Sequence, residues 1–341
     1  YLQEYQRNSF LVQQQILDHS KKLLKHRVDF IIDFIEEEKK YARVHLEKEL
    51  KFRVDQAYNT AEAMVTGSEG PLNQQSLTRL VVEALRPVRH RNGRGYMFAT
   101  RMDGTELLFA DHPELEGTNI LDMQDLDGML FVREMVRLSR VEGGGYVSYR
   151  ISKPGSSSWD HRKLSYVRYF APLDFFIGTG EYLEDFEKEN RTRISERLEA
   201  LQFSGALTIF GVNYNGVELF GPGQGRNMYE ATDRNGVKVV QELIAAAKQR
   251  GGFVRYHMPE SVDKKQYPKL SYSKPIPGWD SYIGAGINLE TLEIELVRSH
   301  AQLQQLFKRQ SLETAFLLPI IAVVLLLLGR RFASRINRSV S

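Results

Sequence analysis

The chain has 341 residues, of which 42% are hydrophobic, and a prior of about 150 residues per domain predicts two domains. The formal net charge is +3 and there is no cysteine. The near balance of charge argues against nucleic acid as the main partner. The lack of cysteine excludes disulfides, zinc–thiolate sites and cysteine nucleophiles.

Residues 1–66 are predicted to form one long helix. Residues 2–66 contain neither proline nor glycine, and apolar residues recur at steps of three and four from Leu24 to Met64. At the rise of an α-helix this stretch would extend roughly 90 Å. One small domain does not cover that length. We therefore expect the excess to pack on a second copy of the chain or to run toward a membrane.

A small α+β unit is predicted next. Helical spacing occurs over 74–85 and 129–141, and strands are predicted over 95–99, 105–110 and 143–151. Residues 163–183 read as two more strands around a turn at Pro172 to Asp174. Gly178 and Gly180 lie two apart on one face, which indicates that another element or a ligand lies close there.

Residues 163–183 return as residues 269–289, at a constant offset of 106 positions. Both copies begin with KLSY and share an aspartate, an isoleucine, two glycines and a leucine. The match indicates duplication of a domain of about 100 residues. The second copy repeats the order of elements: strands 206–212 and 217–220, helix 237–248, strand 251–257 and the closing pair. Each copy is therefore predicted as a PAS-like antiparallel sheet with helices packed against it, an α+β fold.

The C-terminal part differs from the rest. Residues 185–204 are predicted as a linker helix between the copies, and 291–312 as an exit helix. Residues 313–331 are predicted to span a membrane, because 315–329 carry no charge and four arginines follow; a buried core helix is the alternative. The positive-inside rule places 332–341, the start of a linker, in the cytoplasm and the two copies outside. We also expect an earlier membrane segment and a later cytoplasmic portion beyond the given sequence.

Three segments, 85–120, 143–155 and 163–187, closely resemble the Cache family of extracellular sensor domains, and the whole chain resembles a tandem (double) Cache sensor. The resemblance implies a membrane-distal module at 67–184 and a membrane-proximal module at 205–290. It implies binding of a small ligand, often a carboxylate such as acetate, propionate or pyruvate. The signal would cross the inner membrane to a histidine kinase, diguanylate cyclase or chemoreceptor transmitter, with the sensor part periplasmic and the chain a homodimer.

A carboxylate site needs a few converging donors between apolar walls. The distal module offers seven candidates: His112, Tyr149, Trp159, Lys163, Tyr166, Tyr96 and Tyr182. Lysine supplies a point charge, and tyrosine and tryptophan supply donors on apolar bodies. Each also has an ordinary structural interpretation, as a solvated lysine, a loop histidine, a packed tryptophan or a core tyrosine. That interpretation fits Tyr96 and Tyr182 best.

The proximal module is expected to act as a relay rather than as the ligand site. It keeps Lys269, Tyr272 and Tyr256. However, the step from Gly104 to Gly117 is 13 positions, whereas the step from Gly216 to Gly225 is 9. The counterpart of His112 falls in this deletion, so we predict that the distal module binds the ligand.

The alternative function is a ligand-free periplasmic dimerisation spacer, which has no use for the polar and aromatic set of the distal module. The sequence shows no nucleophile elbow, no HExxH motif and no EF-hand spacing. We therefore expect neither enzyme activity in this region nor a cofactor or metal, and the partners expected are a small molecule and the membrane.

Overall fold

The structure, a computed structural model, describes residues 2–68, 73–200, 207–259, 266–291 and 294. The chain divides into two compact units, Asp33–Ala200 and the combination of Tyr1–Ile32 with Leu201–Ser341. The first unit contains the predicted distal module and the second the predicted proximal module. The domain boundaries given above stay predictions.

The helices occupy the segments that the apolar spacing indicates. They are α1 (Leu2–Thr66), α2 (Gln74–Leu85), α3 (Phe131–Glu142), α4 (Leu183–Ala200) and α5 (Val239–Lys248). The Asn73 side chain accepts a hydrogen bond from the Ser76 amide at 2.8 Å and so caps the start of α2. Gly143 ends α3 with φ at +74°, a conformation that glycine adopts without strain.

The distal sheet is antiparallel. Its strands are β1 (Arg89–His90), β2 (Gly95–Arg101), β3 (Glu106–Phe109), β4 (Gly144–Ile151), β5 (His161–Phe170) and β6 (Phe175–Tyr182). They are ordered β1-β2-β6-β5-β4, with β3 also paired to β2. Strand β1 was not predicted from the sequence, because a stretch of two residues is too short to show a periodic pattern.

The proximal sheet repeats this topology. Its strands are β7 (Leu207–Asn213), β8 (Glu218–Phe220), β9 (Gly252–Pro259), β10 (Gln266–Pro275) and β11 (Ser281–Asn288). They are ordered β8-β7-β11-β10-β9, which corresponds strand by strand to β3-β2-β6-β5-β4. The predicted α+β architecture of a long helix and two antiparallel sheets is confirmed.

The two faces of the distal sheet support separate cores. One core joins α1 and α2 to residues such as Leu164 and Tyr166 of β5. The other joins α3 to residues such as Val167 of β5 and Phe176 of β6. Because side chains alternate along a strand, neighbouring residues of β5 enter different cores.

Most of the predicted exit helix (291–312) and all of 313–331 and 332–341 lie outside the described residues. In the described part of the chain, no helix combines the length and the apolar character needed to cross a membrane.

Candidate ligand site in the distal module

Lys163 lies on β5, on the face of the sheet that carries α3, and its side chain is 1% exposed. Strand pairing places it opposite Tyr149 of β4 and Tyr182 of β6. Gly180 leaves room for the aliphatic part of this lysine, since a Cβ at that position would lie 2.8 Å from Lys163 Cε. The close neighbour that the glycine pattern predicted is therefore a side chain of the adjacent strand.

Aromatic rings surround the ammonium group of Lys163. Its Nζ lies 4.0 Å from the ring centroid of Tyr96, 5.0 Å from that of Tyr182 and 5.7 Å from that of Phe98. Ring faces attract a cation, but they do not replace a counter-charge. Among the residues that the structure describes, Lys163 has neither an ion-pair nor a hydrogen-bond partner.

Burial dominates the electrostatics at this position. It lowers the pKa of Lys163 to about 7, against the smaller raising effects of the Asp111 and Glu181 carboxylates. Removal from water disfavours the charged form of an amine, which explains the direction. An anion placed beside Nζ would supply the missing charge and restore the protonated lysine.

A small cavity lies beside Lys163. It leaves about 20 Å³ in which the centre of a water molecule can sit, which is room for roughly one water. A carboxylate of two or three carbons therefore requires the walls to move apart. The lining residues are Tyr96, Phe98, Thr100, Glu106, Phe109, Ile120, Phe131, Val132, Met135, Tyr149, Ile151 and Lys163.

Tyr149 contributes both an apolar wall and a hydroxyl group to the cavity. Its ring stacks on that of Phe131 with the centroids 4.5 Å apart. Its Oη lies 3.1 Å from Ser165 Oγ, two positions along β5 from Lys163. Burial raises the pKa of Tyr149, so the hydroxyl stays protonated and able to donate.

His112 and Trp159 are not among the residues that line the cavity. The rings stack with centroids 5.0 Å apart, and Trp159 is 40% exposed. His112 Nε2 lies 2.5 Å from Ser152 Oγ, and the carbonyl of the same serine accepts a hydrogen bond of 2.8 Å from Tyr182 Oη. Contacts through Ser152 thus connect His112, and Trp159 stacked on it, to Tyr182, whose ring flanks the Lys163 ammonium group.

Tyr166 lies on the opposite face of the sheet from Lys163. It belongs to the core that contains α1, and its ring centroid is 4.8 Å from that of Tyr146. Residues three apart on a strand point to opposite faces. The structure therefore brings together Tyr96, Tyr149, Lys163 and Tyr182, but not Tyr166.

Glu106, which was not predicted from the sequence as a site residue, lines the same cavity and is 2% exposed. Thr100 Oγ1 donates a hydrogen bond of 2.8 Å to its Oε2. Burial raises the pKa of Glu106 to about 8, although the bond from Thr100 acts in the opposite direction. A signal was available in the repeat, because GTELLF at 104–109 and GVELF at 216–220 both place a glutamate two positions after a turn glycine.

An ion network begins at the buried Glu181, the residue before Tyr182 on β6. Its Oε2 lies 2.8 Å from Arg91 Nε, and Arg91 also reaches Glu49 of α1 at 2.5 Å. Arg94 extends the network to Glu189 of α4 at 2.7 Å. Burial raises the pKa of Glu181, and the two arginines partly offset it. Ion pairs thus connect the strand beside the cavity to two helices.

The proximal module keeps part of this arrangement. Tyr256 Oη lies 2.8 Å from Ser271 Oγ, which reproduces the contact between Tyr149 and Ser165. Lys269, the counterpart of Lys163, is only half-buried. The hydroxyl pair is therefore common to both modules, and the buried lysine is a property of the distal one.

Comparison with known proteins identifies the family. The family model dCache_2, described as a Cache domain, matches residues 2–293. The chain therefore belongs to the Cache domain family of sensor domains.

Relatives and a solved structure carry related segments. The methyl-accepting chemotaxis protein McpP of Pseudomonas putida is 28% identical over 120 residues, 35% of this chain and 22% of McpP. The sensor histidine kinase MctS of Rhizobium johnstonii is 27% identical over 139 residues, 39% of this chain and 30% of MctS. A solved Cache chemosensory domain studied for carboxylic acid recognition is 27% identical with a TM-score of 0.37, covering 42% of this chain and 97% of its own. The matched part is less than a third of either relative's length.

Proposed function

We propose that this chain is the extracytoplasmic sensor region of a membrane receptor, and that its distal module binds a small carboxylate beside Lys163. Its relatives include a chemotaxis receptor and a sensor histidine kinase, which supports the receptor part. The proximal module would pass the signal on toward the membrane, which 313–331 would cross.

One observation supports the ligand class above the others: a lysine that is 1% exposed faces a cavity without a counter-ion in the described structure. An uncompensated buried charge is strongly destabilising, on the order of several kcal/mol. A module that serves only as a spacer would lose this stability without any functional benefit. A carboxylate ligand accepts from the ammonium directly and removes the penalty.

The remaining groups suit a small anion rather than a large one. The rings of Tyr96 and Tyr182 flank the ammonium, and the cavity beside it has room for roughly one water. Tyr149 adds a hydroxyl donor at the cavity wall. In a site with so little water, each charge-assisted hydrogen bond is stronger than it would be in solution.

Transmission would start at β6. A ligand that moves the cavity walls displaces Tyr182, and Glu181 on the same strand is held by Arg91. Through Glu49 and Glu189, that displacement biases the positions of α1 and α4. The ligand must bind one arrangement more tightly than the other, because equal affinity would shift nothing.

The proposed homodimer would use the exposed side of α1. Tyr41, Val44 and Phe52 lie on one helical stripe, and they are 68%, 44% and 60% exposed. Large apolar side chains aligned on a helix are typical of a surface that packs on another helix.

The experiment is calorimetric titration of the full, solubilised chain with acetate and propionate, for the wild type, Lys163→Met and Lys269→Met. We expect measurable binding to the wild type and to Lys269→Met, and a loss of at least about 30-fold in Lys163→Met, since a charge-assisted bond contributes roughly 2 kcal/mol or more. Loss of binding in Lys269→Met alone would move the site to the proximal module. Failure of every small organic acid to bind the wild type would favour the spacer function.

A further inference from the structure

We propose that Glu106 is the second recognition group of the distal cavity, and that it selects small carboxylates bearing a hydroxyl or keto oxygen near the carboxyl group. This inference rests on the function proposed above. It adds a class of ligand and a residue that determines specificity.

The first support is geometric. Glu106 and Lys163 are 2% and 1% exposed and line the same cavity. Thr100 Oγ1 donates to Oε2 of Glu106 at 2.8 Å, and Oε1 has no hydrogen-bond partner among the described residues. A carboxyl oxygen that faces a small cavity without a partner is costly unless something binds to it.

The second support comes from the other module. Glu218 of β8 pairs with Val212 as Glu106 of β3 pairs with Thr100, so the two glutamates hold equivalent positions. Oε1 of Glu218 accepts a hydrogen bond of 2.9 Å from the amide of Gly223, inside the shorter loop. In the proximal module the loop backbone therefore satisfies this oxygen. In the distal module, the molecule bound in the cavity would be the hydrogen-bond partner of Oε1 of Glu106.

The chemistry of the lining selects the partner of Oε1. Much of the remaining lining is apolar, as at Phe109, Ile120 and Phe131. An ammonium group needs several acceptors, whereas a hydroxyl or keto oxygen can accept one hydrogen bond from a protonated carboxyl group. Burial also keeps Glu106 largely protonated at neutral pH, since its pKa is raised to about 8. It then donates a hydrogen bond to the ligand and does not repel its carboxylate.

The test uses three ligands of nearly the same shape: propionate, lactate and alanine, titrated into the full, solubilised chain. We expect lactate to bind on the order of 10-fold more tightly than propionate, because only lactate satisfies the buried carboxyl group. Propionate and lactate binding with equal affinity, or alanine binding more tightly than lactate, would each refute the assignment.

Variants identify the residue responsible. Glu106→Leu should reduce the ratio of lactate to propionate affinity to about one, and Glu106→Gln should keep it, since an amide still donates. In the wild type the ratio of pyruvate to propionate affinity should fall as the pH rises through 8, because an ionised Glu106 cannot donate to a keto oxygen, and in Glu106→Gln it should not. The matched control, Glu218→Gln, should leave the ratio unchanged. Persistence of the ratio in a folded Glu106→Leu protein would contradict the proposal.

The two proposals fail in different ways. If propionate binds and Lys163→Met abolishes that binding, the proposed function stands, and equal affinities for lactate and propionate refute only the role of Glu106. If no acid binds the wild type, both proposals are wrong.

Discussion

The two modules of this chain share one fold and differ in how they treat two buried polar positions. Both sheets have the same strand order, and both join a tyrosine to a serine across adjacent strands. The distal module buries its lysine completely and its glutamate lines a cavity, whereas Lys269 and Glu218 of the proximal module are half-buried. The hydroxyl pair is therefore common to both modules, and the buried lysine and glutamate distinguish the distal one, where we propose the ligand site.

The largest expected effect is on stability. Without ligand, Lys163→Met should raise the free energy of unfolding by on the order of 2–4 kcal/mol at pH 6, because it removes an uncompensated buried charge. Lys269→Met, at a half-buried position, should change it by less than about 0.5 kcal/mol. Urea unfolding of both variants measures the difference.

The pH dependence of this gain follows from the pKa of Lys163, which is about 7 in the folded chain and 10.5 in its ordinary state. Below pH 7 Lys163 is protonated in both the folded and the unfolded state, so the folded state bears the full free-energy cost of the buried charge. Between pH 7 and 10.5 the folded lysine is already neutral, so the cost shrinks as the pH rises. The gain from Lys163→Met should shrink with it, and a gain independent of pH would contradict the assignment of charge.

The next effect concerns the paired glycines. A Cβ at Gly180 would clash with Ser165 Oγ and would also lie 2.8 Å from the carbonyl oxygen of Leu164 and 2.8 Å from Lys163 Cε. A Cβ at Gly286 would meet Ser271 Oγ at 2.6 Å, and its next neighbours would lie at 3.7 Å. Gly180→Ala should therefore cost roughly 1–3 kcal/mol of stability and weaken propionate binding. Gly286→Ala should cost less and leave binding intact, and the reverse order of costs would argue against the packing of Lys163 described here.

The smallest effect concerns the hydroxyl pairs. Tyr149→Phe and Tyr256→Phe each remove one hydrogen bond, of 3.1 and 2.8 Å, and each should cost about 1 kcal/mol in thermal unfolding. Only Tyr149→Phe should also weaken propionate binding, by roughly 3- to 10-fold. Equal losses of propionate affinity in the two variants would contradict the proposal that only the distal module binds the ligand.

Much of the fold could be predicted because its signals are local. The absence of proline and glycine up to residue 66 predicts α1, and the constant offset between the KLSY segments predicts two sheets of the same topology. The strand β1 depends on pairing with β2, at Arg89 with Tyr96 and His90 with Gly95. Such a contact leaves no periodic pattern in a two-residue stretch.

The site was harder to predict because it depends on which atoms lack partners. Lys163 stood out by residue type, but grouping Tyr166 with it overlooked the alternation of side chains on β5. Glu106 was visible only by comparing the two copies. Whether its Oε1 is free depends on the loop that follows, and a single sequence does not show how that loop folds.

Loop length has a consequence for engineering. The segment from Gly104 to Gly117 in the distal module is four positions longer than that from Gly216 to Gly225 in the proximal one, where the Gly223 amide donates a hydrogen bond to the half-buried Glu218 carboxyl group. On the role proposed above for Glu106, these four residues determine whether the carboxyl group binds the loop backbone or a ligand. Transplanting the longer loop and a buried lysine into the proximal module is therefore a way to design a receptor with two ligand sites in one chain.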